Sequence, residues 1–339
     1  MFEALQFETR LLLKANLCPV QGSRFQPTGF PDLGAATFNR GKDLIVESAQ
    51  SVANRLEVAI WDELNQDVVE PLRGIPYVVV KDKDGSIMTN SILESHRLNS
   101  YYITESDDKK FFNQLKKELG AKDKKDKKES DRPINLAQMA KAIGQYDCNT
   151  LLHGVFFSKS ELSGGRFKLP RAISGFIEAY NISQSDSGGT KVDRVNPSAD
   201  KAEIALGAGN VPFHRSEFTA DEIVAYFNLD LSQLRAYRMG EQMQELLIGM
   251  AIYKVQKFLT EGLRLRTACD LEMNKEGIVV TRPKGFKLPS YAALVEALPK
   301  MVKAAYPEGG IKSEVTFIKK KSSKKSVAEE EDTSLEAEE

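Results

Sequence analysis

The spacing of apolar residues along the chain predicts a mixture of strands and helices. Alternating or continuous apolar runs favour strands at 6–18, 77–80, 151–157, 167–183, 277–283 and 314–318. Apolar residues three and four apart favour helices at 43–66, 218–230, 240–262 and 290–304, and helical pieces within 105–146. Because strands and helices follow one another without a steady alternation, we expect an α+β fold.

Two of these helix predictions are supported by local sequence signals. At 218–230, Thr219 followed three residues later by Glu222 fits a capping box, in which each side chain bonds the other residue's backbone N–H. At 43–66, apolar residues recur at helical spacing and would form one buried stripe. That stripe consists of Ala49, Ala53, Leu56, Ile60 and Leu64.

Polar segments interrupt these elements without dividing the chain into separate domains. We expect one domain over 1–318, with a charged loop inserted at about 105–146 and a protruding polar stretch at about 184–210. Residues 319–339 are Lys-rich and then acidic, and their low complexity predicts a disordered tail.

The charge of the chain is unevenly distributed. The formal net charge is -1, from 47 basic and 48 acidic residues. Residues 327–339 contain seven of the acidic residues and no basic one, so the rest of the chain is mildly basic. A basic body can bind a polyanion if its charge is gathered on one face.

Composition argues against several classes of protein. No run approaches the roughly 18 apolar residues that a membrane span needs. Glu3, Glu8 and Arg10 interrupt the place where a signal peptide would be apolar, so we expect a cytoplasmic protein with no membrane partner.

Residues that could form metal or disulfide sites are also few. Cysteines and histidines number three each, and none has the CxxC, HxH or HExxH spacing of a ligand set. We therefore expect no metal, no cofactor and no disulfide framework. The cysteines are Cys18, Cys148 and Cys269, and the histidines are His96, His153 and His214.

Enzyme motifs fail on inspection. The P-loop-like ATFNRGKD has Ala36 and Asp43 where glycine and a hydroxyl residue are required. The dinucleotide-like GAGNVP lacks its third glycine and continues into Pro212. No GxSxG nucleophile motif occurs, and His96 is better read as a histidine bonded to backbone. We expect a protein without catalytic residues.

Basic segments containing glycine and aromatic residues favour nucleic-acid binding instead. In the loop GSRFQPTGFP, Arg24 can pair with a phosphate, while Phe25 and Phe30 can stack on bases or on other protein rings. The alternative is a structural loop whose rings fill the core.

A second polar group lies on one side of the helix predicted at 43–66, and it suits sugar and phosphate oxygens, although a merely solvated face is the alternative. Three further basic segments lie at 164–175, 210–218 and 262–272, the last with Arg264 and Arg266 two residues apart. None of them indicates base-specific recognition. The candidate RNA-binding residues are Arg24, Phe25, Gln26, Thr28, Gln50, Ser51, Asn54, Arg55, Arg97, Arg166, Lys168, Arg171, His214 and Arg215.

These segments together resemble the backbone-subunit family of type I CRISPR effector complexes, more narrowly subtype G, formerly called U. The resemblance is carried by RFQPTGFPDLGAATF, ESAQSVANRLE, LESHRL, LLHGVFF, ISGFIEAYNIS, SGGTKVDRVNPS, GNVPFHRSEFTADEIVAYFNLDLSQLR and GLRLRTACDLE. It extends from about residue 7 to residue 318 and leaves out 120–131 and the tail.

The resemblance implies a fold and a set of partners. The expected fold is an RNA-recognition-motif-like (ferredoxin-like) palm with inserted finger and thumb elements, the polar stretch at 184–210 being the candidate thumb. Copies of the chain would stack head to tail along one guide RNA and leave its spacer free to pair with target DNA. Further partners would be a large subunit, a guide-processing subunit and a recruited helicase–nuclease.

Two alternatives stay open. Backbone subunits of the related type III complexes cut target RNA with an acidic residue in a loop after the first strand, and Asp32 occupies a comparable place. A turn or a helix cap is the other role for that carboxylate. The second alternative is a generic single-stranded RNA-binding module that does not stack into an assembly.

Overall fold

The structure, a computed structural model, describes residues 1–30, 34–121, 134–162, 167–310 and 312–319. The strands are β1 Arg10–Pro19, β2 Gly29–Phe30, β3 Gly34–Ala35, β4 Thr37–Phe38, β5 Asp43–Glu47, β6 Trp61–Asp62, β7 Asp67–Val68, β8 Tyr77–Lys81, β9 Ile87–Asn90, β10 Val155–Phe156, β11 Lys168–Leu169, β12 Ile173–Tyr180, β13 Ser183–Lys191, β14 Val211–Thr219, β15 Glu222–Asp230, β16 Arg264–Arg266, β17 Cys269–Arg282 and β18 Lys312–Thr316. The α-helices are α1 Ala49–Val58, α2 Tyr101–Thr104, α3 Lys110–Glu118, α4 Leu136–Tyr146, α5 Asn149–His153, α6 Lys201–Ala205, α7 Leu231–Ala236, α8 Glu241–Glu261 and α9 Tyr291–Ala305. Short 3-10 helices lie at Glu3–Leu5, Glu70–Leu72, Arg97–Asn99 and Ser160–Leu162.

A seven-stranded antiparallel sheet forms the centre of the molecule, in the order β16-β17-β1-β15-β12-β5-β4. Every second residue of β1 is buried, because alternate side chains of a strand point to opposite faces. The buried set is Leu11, Leu13, Ala15 and Leu17.

Helices α1, α5 and α8 pack against the face of the sheet that carries these residues. Most of α8 is buried, because α9 covers its other side. The strands at 77–80, 277–283 and 314–318 and the helices at 240–262 and 290–304 are confirmed as β8, β17, β18, α8 and α9, although β17 begins at Cys269, well before the predicted start. Helices together with an antiparallel sheet also confirm the α+β class.

Six elements build the inner sheet and its helices, in the chain order β1, α1, β12, β15, α8 and β17, with other elements inserted between them. Their strands lie side by side in the order β17-β1-β15-β12. Between β12 and β15 the chain leaves the sheet as the hairpin β13–β14, paired from Ser183 opposite Thr219 to Lys191 opposite Val211. The candidate thumb is therefore a two-stranded hairpin, with the short helix α6 between its strands.

The helix expected at 218–230 is wrong. Thr219 ends β14 and Glu222 begins β15, so the capping signal marks a turn between two strands. Ile223, Ala225 and Phe227 are buried at every second position, which is the period of a strand. Pairing with β1 on one side and β12 on the other overrides the local helical signal.

The helix expected at 43–66 is much shorter. Residues 43–47 form β5, and α1 begins after Ser48, whose side chain accepts a hydrogen bond from the Ser51 backbone N–H at 3.2 Å. The helix ends at Val58, and Leu64 at the end of the expected stripe is 95% exposed. An N-cap serine inside the run is the signal that separates the two elements.

Other boundaries shift as well. The strand expected at 151–157 is mostly the end of helix α5, with only Val155–Phe156 extended. The strand expected at 167–183 is divided into β11, β12 and the start of β13, and the first strand begins at Arg10 rather than residue 6. Helices α3 and α4 lie within 105–146, whereas the charged run at 122–133, the loop residue Asp32 and the tail from 320 lie outside the described residues.

Candidate nucleic-acid interface

The polar face of α1 is the first group of candidate residues that the fold brings into view. Gln50 and Asn54 are exposed, and the Gln50 side-chain amide donates to Asn54 Oδ1 at 2.8 Å. Arg171, from the segment before β12, reaches this face and donates to Gln50 Oε1 at 2.9 Å and to the Ala49 carbonyl oxygen at 3.3 Å. Two segments that are 121 residues apart along the chain therefore share one polar surface.

The inner edge of that face is organised by Glu47, which is completely buried. Arg55 Nε donates to Glu47 Oε1 at 2.8 Å, while the side chains of Ser51 and Arg266 also bond this carboxylate. Arg55 donates further to the Leu265 carbonyl oxygen at 2.6 Å, and burial lowers the pKa of its guanidinium. Much of the hydrogen-bonding capacity of Arg55 is thus used to join α1 to β16.

Glu47, Ser51, Arg55 and Arg266 form a hydrogen-bonded group that we call the hub. The loop at 21–30 is bonded to this hub and to the strands beside it. The Gln26 backbone N–H donates to the Ala268 carbonyl oxygen at 2.8 Å, and the Gln26 carbonyl oxygen accepts from Arg266 at 2.8 Å. The Thr28 N–H donates to the Val46 carbonyl oxygen at 3.0 Å. This loop is held by its backbone against β5 and β16–β17, which leaves the half-buried side chains of Gln26 and Thr28 at the surface.

Phe25 differs from what we expected of a base-stacking residue. Its backbone pairs with Phe218 through two hydrogen bonds of 2.9 Å, and its side chain is only 1% exposed. The ring therefore fills the core at the base of the hairpin and is not accessible to a base. Of the two roles that the sequence left open for it, packing on other protein groups is the one observed.

The hairpin base carries the second group. Arg24 pairs with Glu217 at 2.9 Å, and Arg215 lies 3.9 Å from the same carboxylate. The Arg215 guanidinium also lies over the Phe213 ring, 5.1 Å from its centroid. His214 is highly exposed, 3.9 Å from Asp186, whose pKa is lowered mainly by hydrogen bonds from Gln184 and Ser216.

Arg97 is a correction to the candidate list. It is buried and binds Glu57 with two hydrogen bonds of 2.6 and 2.7 Å, and it donates to the Gly154 carbonyl oxygen at 3.1 Å. A guanidinium committed to a buried carboxylate holds α1 to the 3-10 turn and is not free to bind a partner. Lys168 is exposed on β11, and Arg166 lies outside the described residues.

The hub residues Glu47 and Arg266 were missed as parts of the site. Arg266 was noted only for its spacing from Arg264, and Glu47 gave one signal, an acid at the end of the apolar strand β5. Among the described residues, no group of three or more His, Cys, Asp and Glu side chains could hold a metal ion. Within the same part of the chain, no helix is long and apolar enough to cross a membrane.

Comparison with known proteins gives one family match. A model of the family described as CRISPR-associated protein GSU0053 matches residues 11–184, just over half of the chain. No curated protein matches.

Solved structures give weaker likenesses. A chain of a CRISPR RNA-guided surveillance complex, pre-nicking, is 13% identical, with 88% of this chain and 90% of that chain covered and a TM-score of 0.41. Csc2 of Thermofilum pendens is 9% identical, with 90% and 75% covered and a TM-score of 0.32. Likenesses of this size do not define a common fold.

Proposed function

Because the chain belongs to the family of CRISPR-associated protein GSU0053, we propose that it is a non-catalytic, RNA-binding backbone subunit of a Cascade-like complex of subtype G. The observation that carries the proposal is the polar face of α1 with Arg171 at its N-terminal end, which lies within the matched segment. Amide, hydroxyl and guanidinium groups on one surface suit sugar and phosphate oxygens of an RNA chain.

An RNA-recognition-motif-like palm accounts for the inner sheet. The chain order β1, α1, β12, β15, α8, β17 and the strand order β17-β1-β15-β12 correspond to a βαββαβ unit, which supports this assignment. The hairpin β13–β14 is then an insertion between the second and third strands of the unit, and it is our candidate for the thumb.

The outer face of that sheet supports the same function. Lys14, Tyr226 and Phe176 lie opposite one another on β1, β15 and β12, on the face away from the buried side chains of β1. The two rings are 5.3 Å apart at an interplanar angle of 35°, and Phe176 is 37% exposed. Rings beside a cation suit bases of any identity, as a subunit that holds any spacer requires.

In this function the guide RNA, and not the protein, recognises the sequence of the target DNA. Copies of the chain coat the guide RNA, the spacer pairs with target DNA, and a large subunit, a guide-processing subunit and a recruited helicase–nuclease complete the assembly. The chain itself supplies binding groups and no reacting group.

The test is to express the protein with a CRISPR array and the guide-processing subunit, purify it and sequence the RNA that stays bound. Guide RNAs of one discrete length in a particle of several protomers are the expected result. RNA of random origin would indicate a generic single-stranded RNA-binding module, and absence of RNA at low salt would overturn the proposal. Cuts in a complementary RNA that Asp32→Ala abolishes would show that the subunit is an enzyme.

A further inference from the structure

A cleft of about 520 Å³ opens between the end of α5 and the small ribbon β10–β11. Its charged lining residues are Arg97, Lys168 and Arg171, and no carboxylate lines it among the described residues. An all-cationic lining favours an anion over a neutral ligand.

Two of these cations have no counter-ion among the described residues. Arg97 is neutralised by Glu57, but Arg171 binds only neutral oxygens, and its Nε is buried without a hydrogen-bond partner. Lys168 is exposed and forms no ion pair within the described part of the chain. A half-buried guanidinium held by neutral groups keeps its full charge for a partner.

His153 lies behind the wall of the cleft. Its side chain is fully buried, and its Nε2 lies 2.9 Å from the Lys254 ammonium group. Burial, and then the nearby cations, lower the pKa of His153 well below its usual value, so the ring is neutral. Its Nδ1 has no hydrogen-bond partner among the described residues and is 3.9 Å from the nearest Glu57 oxygen.

An aromatic ring lies beside the cations. Phe156 is 55% exposed, an uncommon state for phenylalanine, and it is directly opposite Lys168 in the β10–β11 pair. A flat apolar surface next to an ammonium and a guanidinium matches a base joined to a phosphate.

We propose that this cleft binds one nucleotide, with its phosphate at Lys168 and Arg171 and its base against the Phe156 ring. The inference rests on the proposed function for the source of that nucleotide, which is a position of the bound RNA. A free nucleotide has the same chemistry, and the choice of probes separates the two.

The test uses the purified full chain with two probes, a fluorescein-labelled ten-nucleotide oligouridine and AMP. The variants are Lys168→Gln and Phe156→Ala, and Lys284→Gln, an exposed lysine in the loop after β17, is the matched control. We expect Lys168→Gln to lower oligouridine affinity several-fold and to reduce the slope of log affinity against log salt by about 1. Phe156→Ala should cost about tenfold or more, since a stacked base is lost, while Lys284→Gln stays within about twofold.

The probes also locate the source of the nucleotide. If AMP competes with oligouridine and both cleft variants abolish that competition, the cleft is a site for a free nucleotide. If the variants lower only the affinity for oligouridine, the cleft is a site for one position of an RNA chain. If both cleft variants behave like Lys284→Gln, the inference is overturned. If the wild-type protein still carries guide RNA in that case, the proposed function is unaffected. If the protein carries no guide RNA but binds AMP, and Lys168→Gln abolishes that binding, only the nucleotide site in the cleft is supported.

Discussion

The sheet with its helices and the β13–β14 hairpin hold their cations in opposite ways. Around the sheet, Arg55 and Arg97 are bound to carboxylates that are almost fully buried, and the Arg97 side chain is 10% exposed. At the hairpin, the side chains of Arg24 and His214 are 55% and 76% exposed. Arg55 and Arg97 are thus part of the fold, whereas Arg24 and His214 remain available to a partner.

The difference follows from the cost of burying charge. An arginine beside a buried carboxylate cannot leave it without exposing an uncompensated charge to a low-dielectric interior. Glu217 is also largely buried, with its side chain 10% exposed, but two arginines lie beside it, so the 55% exposed Arg24 can turn to a phosphate while Arg215 stays near that carboxylate. Residue type alone therefore does not identify a binding residue, whereas the exposure of its own charged side chain does.

The largest expected effect comes from breaking the Arg97–Glu57 pair. Arg97→Met leaves Glu57 buried without its partner and should lower the free energy of unfolding by about 3–5 kcal/mol. Arg215→Ala at the hairpin should change it by no more than about 0.5 kcal/mol. Urea unfolding followed by circular dichroism measures both values.

A double variant tests the cause of that loss. Arg97→Met combined with Glu57→Leu removes both charges, so it should be less destabilised than Arg97→Met alone. If the double variant loses as much unfolding free energy as the two single variants lose together, packing, and not the unpaired charge, determines the loss.

Lys254 offers a third arrangement, a fully buried cation bound to the neutral side chains of Asn149 and His153. Burial lowers its pKa to about 8 from the ordinary 10.5. Between these two values the unfolded chain binds more protons than the folded one, so this residue makes stability rise with pH by up to about 1.4 kcal/mol per unit.

Lys254→Met removes that contribution. The difference in unfolding free energy between wild type and variant should therefore shift in favour of wild type from pH 8 to pH 10, and stay constant below pH 7. Urea unfolding at four pH values measures it. Parallel pH profiles would mean that the lysine keeps its ordinary pKa in the folded state, as a hydrated ammonium group would.

The sequence predicted elements whose signal is local and continuous. Helices α8 and α9, strand β8 and the second half of β17 carry apolar patterns that no competing arrangement disturbs, whereas the polar first half of β17 was not predicted. The segment at 218–230 carries both a helical capping signal and a strand alternation, and only the neighbouring strands β1 and β12 decide between them. Local rules fail where a long-range partner determines the structure.

The candidate site shows the same limit. Polar residues on α1 were correctly predicted to share a face, because helical spacing is a local property. The burial of Arg97 depends on Glu57, forty residues earlier, and that of Phe25 on Phe218, so neither could be read from its own segment. Arg171 joins α1 only because β12 lies beside β5.

The smallest expected effect on stability tests the hairpin as a binding surface. Arg215→Ala removes one of two arginines beside Glu217, and Arg24 remains at 2.9 Å to neutralise that carboxylate. The fold should therefore be unchanged, while affinity for single-stranded RNA falls several-fold. The slope of log affinity against log salt concentration should decrease in magnitude by about 1. Fluorescence anisotropy across a salt series measures this, with Lys284→Gln, at an exposed lysine in the loop after β17, as the matched control. If RNA affinity is the same for Arg215→Ala and wild type at low salt, Arg215 is not a binding residue.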